Sequence, residues 1–219
     1  NPEADVEGRD ACRKIAILSS IVSGRQVDFE DIYTEGITKI TAQDMRYAKE
    51  MNMVIKLLAT MKQEDGTIGA IVAPFLLHSE HPLASVHGVF NAIFVRGNAL
   101  GDSMFYGSGA GKMPTASAVT ADIVEAARYQ DRTICEYWSG NKMELKSRMD
   151  VKRKFFIRMA GRKEAYADRI REAFGEVQYL TADGCEGEFA FVTGEIKEGK
   201  YESAAAEFGN LIHMIRVAS

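Results

Sequence analysis

Two apolar, β-leaning runs, Val54 to Met61 and Ile68 to Leu77, stand either side of Glu64-Asp65-Gly66, and this constrains the fold more than any other feature. An Asp-Gly step accepts the positive φ angles of a tight turn, so the two runs predict a hairpin. Val89 to Arg96 and Ser103 to Tyr106, joined across Gly97, Asn98 and Gly101, repeat the pattern and predict two more strands of an antiparallel sheet. Helices flank these runs. Ala11, Ile15, Leu18 and Ile21 recur at spacings of three and four in a segment that ends near Gly24. Thr41 with Asp44 three residues on is a capping-box variant that opens a second helix through Met45, Ala48 and Met51. Pro114 marks a third, reaching about Arg128.

The pattern restarts after Lys152. Strands are expected at Phe155 to Met159, Val177 to Leu180, Phe189 to Thr193 and Ile212 to Val217, with helices at Glu164 to Phe174 and Ser203 to Phe208. That βαββαβ order is a split βαβ unit. The expected class is α+β: an antiparallel sheet with helices over residues 1–130, a polar connector over 131–151, and a ferredoxin-like unit over 152–219.

Composition bounds the function. With 27 basic and 31 acidic side chains among 219 residues, the net charge of −4 argues against a nucleic-acid binder. No run approaches the ~18 to 20 consecutive apolar residues of a membrane helix, and the opening NPEADVEGRD lacks the basic and apolar regions of a signal peptide. A cytoplasmic chain without membrane or nucleic-acid partner is the expectation. Cys12, Cys135 and Cys185 lie far apart and read as free thiols.

Three features carry candidate chemistry. Gly107-Ser108-Gly109-Ala110-Gly111 precedes a helix, where backbone amides can cradle phosphate. It is neither a P-loop, since Met113 follows Gly111-Lys112 and Tyr106 occupies the first glycine position, nor a GxGxxG fingerprint, since Lys112 falls on its last glycine. His78, Glu80, His81 and His87 match no zinc spacing, and Pro82 interrupts any helix that would align them, so no metal site is expected and a capped turn is favoured. Asp10 and Lys14, at i and i+4, share one helix face, with Asp5 in the segment before them. By pattern alone this is a solvated surface pair; covered by another domain, the same lysine could exchange a proton with a substrate hydroxyl.

The run from Asn1 to Ile15, NPEADVEGRDACRKI, resembles the homoserine dehydrogenase pattern (D/N)PxxDxxGxDxxRK. Tyr33-Thr34-Glu35-Gly36-Ile37, Val54 to Leu58, His81-Pro82-Leu83-Ala84 and Gly109 to Ala116 resemble later blocks of the family in the same order, covering residues 1 to about 128. The resemblance implies an oxidoreductase of threonine, methionine and isoleucine biosynthesis that interconverts L-homoserine and L-aspartate 4-semialdehyde with NAD or NADP. It implies Lys14 as the acid/base, Asp10 beside it, Asp5 and Asp10 toward the substrate, and Gly109, Ala110 and Gly111 toward the cofactor. It also implies a homodimer or higher homo-oligomer, joined through the sheet.

The βαββαβ unit is similar to the ACT domain that many bacterial members carry, which implies an amino-acid effector. Members begin with a Rossmann domain, and this chain, opening at Asn1, looks like the remainder without it; a substrate-binding glutamate expected just before Asn1 is also absent. The turn matching the effector-binding Asp-x-Pro-Gly type is Arg162-Lys163-Glu164-Ala165, with an arginine in place of the aspartate. The competing functional reading is a non-catalytic, dimeric amino-acid-sensing module.

Overall fold

The computed structural model describes residues 3–132 and 137–218. Asn1, Cys135 and Ser219 lie outside the described residues. The chain runs α1 (Glu3–Val6), α2 (Arg9–Ser23), β1 (Arg25–Gln26), β2 (Tyr33–Thr34), α3 (Ala42–Glu50), β3 (Met53–Glu64) and β4 (Thr67–His78). Next come β5 (Phe90–Gly97), β6 (Gly101–Ser108), α4 (Lys112–Arg128), β7 (Ser139–Lys142), β8 (Lys152–Ala160) and α5 (Ala167–Phe174). It closes with β9 (Val177–Leu180), β10 (Glu188–Thr193), β11 (Ile196–Lys197), α6 (Glu198–Ala205) and β12 (Leu211–Val217). These fall into two compact units, residues 1–78 with 137–219, and residues 79–136.

The larger unit is built on one sheet of order β2-β4-β12-β8-β10-β9, with β3 along β4 and β11 beside β8. β3 and β4 form the expected hairpin, paired from Met53 opposite His78 to Glu64 opposite Thr67, with Asp65 at φ +49° in its turn. β12, β8, β10 and β9 lie in the ferredoxin-like order, fourth strand beside first, and third between first and second, all antiparallel.

A βαββαβ unit covers one sheet face with its own helices and leaves the other bare. Here Phe155, Ile157 and Met159 point to the helix-covered face, where they pack with Ile170, Phe174, Tyr201 and Phe208. Phe156, Ala190 and Ile215 point the other way and pack with Tyr47 and Ala48 of α3. Both faces of β8 are therefore buried, which is why Phe155 to Met159 reads as a near-continuous apolar run rather than an alternation. The sheet crosses residue 150 without interruption. Arg216 and Val217 of β12 also pair in parallel with Phe75 and Leu76 of β4.

α3 and β4 thus supply the second face and an edge partner for the C-terminal strands. The part of 131–151 that lies in the larger unit packs on the rest of that unit. β7 pairs with β1, Leu145 bridges Ile68, and Met143 is buried with Ile15, Val27 and Ile68.

Three expectations are corrected. β5 and β6 pair with each other from Phe90 opposite Ser108 to Gly97 opposite Gly101, forming their own two-stranded sheet. Among the described residues they pair with each other and not with the β3-β4 hairpin, whose β4 has β2 and β12 along its second edge. The helix expected from Glu164 starts as a 3-10 turn, Lys163–Ala165, and becomes α-helical only at Ala167, since Tyr166 is non-helical and its ring stacks on Phe189. The helix expected over Ser203 to Phe208 begins earlier, at Glu198, because that glutamate is buried against arginines.

The smaller unit holds a 3-10 turn, Pro82–Ser85, the β5-β6 hairpin and α4. No residue of α4 is buried, and Met113, Val119 and Ile123 lie open on it. Phe105 and Tyr106 of β6 are likewise exposed.

Candidate active site

The strongest candidate chemistry sits on α2. Cys12, Ile15, Ala16 and Ser19 face the sheet, so Asp10, Lys14, Ile17 and Ile21 share the outward face. The buried stripe thus differs from the expected Ala11, Ile15, Leu18 and Ile21: Ile21 is 44% and Ile17 52% exposed. Lys14 Nζ lies 2.7 Å from Asp10 Oδ2, both side chains about half exposed. Asp5 is on α1 and exposed. Among the described residues, then, the ion pair stands beside apolar side chains, not on a uniformly solvated face.

The turn between α1 and α2 is held from one side by the segment after β2. Ile37 N–H donates to Val6 O at 2.8 Å. Gly36 packs so closely there that a Cβ would sit about 2.5 Å from Val6 O and 2.7 Å from the Glu7 Cα. No other residue fits at 36 without moving the turn. Gly8, at φ +75°, starts α2 with Val72 and Thr34 beneath it.

In the smaller unit, Gly111 precedes α4 at φ +129°, and the helix's first turn contains no acidic residue. The steric demand falls on Gly109 as well, whose Cβ would collide with the Asn91 side chain. His81 Nδ1 accepts from Leu83 N–H at 3.1 Å, which caps the 3-10 turn that follows. Its ring lies 4.8 Å from that of Phe94, and burial lowers its pKa, with Arg96 adding to the effect. Among the described residues, no group of three or more His, Cys, Asp or Glu side chains converges as a metal would require.

Two buried ionic clusters were not expected from sequence. Arg158, 3% exposed, donates to Asp44 Oδ1 at 2.7 Å, to Thr41 Oγ1 at 2.9 Å and to both Glu188 oxygens. His213 Nδ1 lies 3.0 Å from Asp44 Oδ2. Burial pushes the Asp44 carboxyl up, but the hydrogen bonds from His213, Arg158 and Thr41 outweigh it and hold it far below the usual range. Sequence marked Asp44 only as a cap, a role it does fill. In the second cluster Arg216 joins Glu198 and Glu35. The available signal was an arginine inside each of two apolar strands, Phe-Phe-Ile-Arg-Met and His-Met-Ile-Arg-Val, since a charge there is buried only when paired.

The sequence profile of the family described as homoserine dehydrogenase matches residues 1–124. The chain belongs to the homoserine dehydrogenase family. The homoserine dehydrogenase of Synechocystis is 35% identical over 96% of this chain and 53% of its own length. That of Corynebacterium glutamicum is 52% identical over 58% of this chain and 30% of its own length. A crystal structure of a homoserine dehydrogenase from Thiobacillus denitrificans superposes over all of this chain and 55% of its own, with a TM-score of 0.88 at 31% identity. One from Staphylococcus aureus gives 0.80 at 28% identity, again over all of this chain and 55% of its own. The chain therefore spans about half the length of full homoserine dehydrogenases, and less of some.

Proposed function

We propose that the full-length protein containing this chain interconverts L-homoserine and L-aspartate 4-semialdehyde with NAD or NADP, and that Lys14 is its acid/base. The observation that carries this reading is the Lys14-Asp10 pair at 2.7 Å, within the block that resembles the family's catalytic run and on a face with exposed Ile17 and Ile21. Exposed apolar groups beside an ion pair suit a face covered by another part of the protein, and cover is what turns a surface lysine into a proton donor.

The nicotinamide would supply or accept the hydride at the reacting carbon. In the reducing direction, Lys14 Nζ gives a proton to the aldehyde oxygen; in the oxidising direction it takes the hydroxyl proton back. Asp10 Oδ2 holds that nitrogen in place, and Asp5 with Asp10 offers carboxylates to the substrate ammonium. Gly109, Ala110 and Gly111 lead into a helix start free of acidic side chains, which fits close approach by an anionic cofactor. The main dinucleotide site lies in a domain that precedes these blocks.

This reading places the protein in the cytoplasm, in the route to threonine, methionine and isoleucine, without membrane or nucleic-acid partner. No helix among the described residues is long and apolar enough to cross a membrane. The full-length protein is expected to reduce NAD or NADP with homoserine, while the 219-residue chain alone gives no turnover, because neither cofactor is held. Absorbance of the reduced nicotinamide measures both, and turnover by the isolated chain would refute the assignment of the cofactor site elsewhere. The exposed strands and α4 suit a homodimer, so light scattering at micromolar concentration is expected to give twice the chain mass.

We also propose that the βαββαβ part is an ACT domain used for joining subunits more than for sensing. Arg162 stands where an acidic side chain would meet an effector ammonium, and the turn after β8 is closed by Tyr166 lying against Gly161. L-threonine is accordingly expected to bind with Kd in the millimolar range or weaker, about −4 kcal/mol. Calorimetric binding at micromolar Kd would favour the amino-acid-sensing module instead.

A further inference from the structure

Glu35 lies between the C-terminal strands and the turn that leads into α2. Its N–H donates to Val72 O at 2.8 Å, and its Oε2 accepts from Arg216 Nη1 at 2.8 Å and from the Tyr33 hydroxyl at 3.3 Å. Arg216 is 1% exposed, and its Nη2 and Nε donate to Glu198 Oε1 at 2.6 and 3.2 Å. Arg148 donates to the same oxygen at 2.6 Å and pairs with Glu202 at 2.6 Å, while Arg153 Nε stands 3.8 Å from Glu198 Oε2. Three arginines thus meet three glutamates, and the cluster is charge-balanced without a ligand. Arg148 and Arg216 also lie over the Tyr33 ring.

The next two residues transmit this anchorage. Gly36 packs on Val6 and Glu7, and Ile37 N–H bonds Val6 O at 2.8 Å. That turn separates Asp5 from Asp10 and Lys14. Within itself the turn is held by Glu7 N–H to Glu3 O at 2.9 Å and Gly8 N–H to Asp5 O at 3.1 Å, but α1 is only four residues long with none buried, and so short a helix does not hold its shape unaided. The half-exposed Asp10-Lys14 pair adds little to hold it.

We infer that Glu35 and Arg216 are positioning residues for the substrate side of the site: their ion pair fixes residues 35–37 against the Val6–Gly8 turn and so sets Asp5 relative to Asp10 and Lys14. Strand β12 thereby contributes to substrate binding without touching substrate. This rests on the reading of Lys14, Asp10 and Asp5 given under Proposed function.

The test is steady-state kinetics of the full-length protein with homoserine and nicotinamide nucleotide. Glu35→Gln keeps the side chain's size and removes its charge; it is expected to raise KM for homoserine about 5-fold or more and leave KM for the nucleotide unchanged. Arg216→Met is expected to do the same, with Arg216→Lys recovering part of the loss. A role in folding alone would lower the active fraction, and hence kcat, with both KM values unchanged; that result for Glu35→Gln overturns the inference even if Arg216→Met does not fold. Lys14→Ala run alongside separates the two levels. An inactive Lys14→Ala with a normal KM for Glu35→Gln sinks the positioning role and leaves the site standing. A fully active Lys14→Ala removes the site and the inference with it.

Discussion

Lys14→Ala in the full-length protein is expected to lower kcat by about 10²-fold or more, the scale of a lost general acid/base, while the fold survives. The fold should survive because Lys14 and Asp10 are each about half exposed within this chain and lie on the face of α2 opposite its buried residues Cys12, Ile15, Ala16 and Ser19. If the pair were only a surface contact, its removal would cost about 0.3 to 0.5 kcal/mol of stability and no activity. The two readings differ by orders of magnitude in kcat and hardly at all in melting temperature. A thermal melt together with initial rates decides between them, and wild-type kcat would refute the catalytic role.

Asp44→Ala is expected to act in the opposite sense, destabilising the larger unit by about 3 to 5 kcal/mol, the usual consequence of removing one partner of a buried ion pair. Asp44 is fully buried, and Arg158 beside it is 3% exposed. Its removal strips Arg158 and His213 of a partner and Thr41 of the acceptor for its N–H and hydroxyl, leaving Glu188 as the remaining carboxylate on Arg158. The pH dependence follows from the sign of the shift. The folded carboxyl titrates below its unfolded value of about 3.9, so its contribution is complete above that pH and lost as pH falls through the acid range. Urea unfolding between neutral pH and about pH 3 should show the onset of this loss in the parent protein and a flatter profile in Asp44→Ala. Equal profiles would contradict it.

Most strands and helices were legible because each carries a local signal. The Asp65-Gly66 turn, the Thr41-Asp44 capping box and the β-leaning runs act within a few residues, and the structure bears each of them out. What sequence did not reveal is how separate segments combine. That α3 covers the second face of β8 depends on Tyr47 meeting Phe156 across more than one hundred positions, and no periodicity encodes such a partner. The same limit hid Glu35 and Arg216. Asp10 and Lys14 were visible as a helix-spaced pair, but only resemblance gave them a role; the exposed Ile17 and Ile21 beside them became apparent from the direction α2 faces.

The position of β12 has a bearing on biogenesis. This strand pairs on one side with β8 and on the other, through Arg216 and Val217, with β4. The ribosome therefore releases the two strands it bridges well before the strand that joins them. Until Leu211 to Val217 emerge, β4 and β8 each present an edge along which another nascent chain can pair, and the arginine that neutralises Glu198 and Glu35 is missing. Contacts so distant in sequence slow folding, and open edges in the interval invite association between chains. Completion of the sheet is accordingly a late event that sets the whole larger unit at once, and a chaperone that shields those edges during synthesis should raise the yield of folded protein.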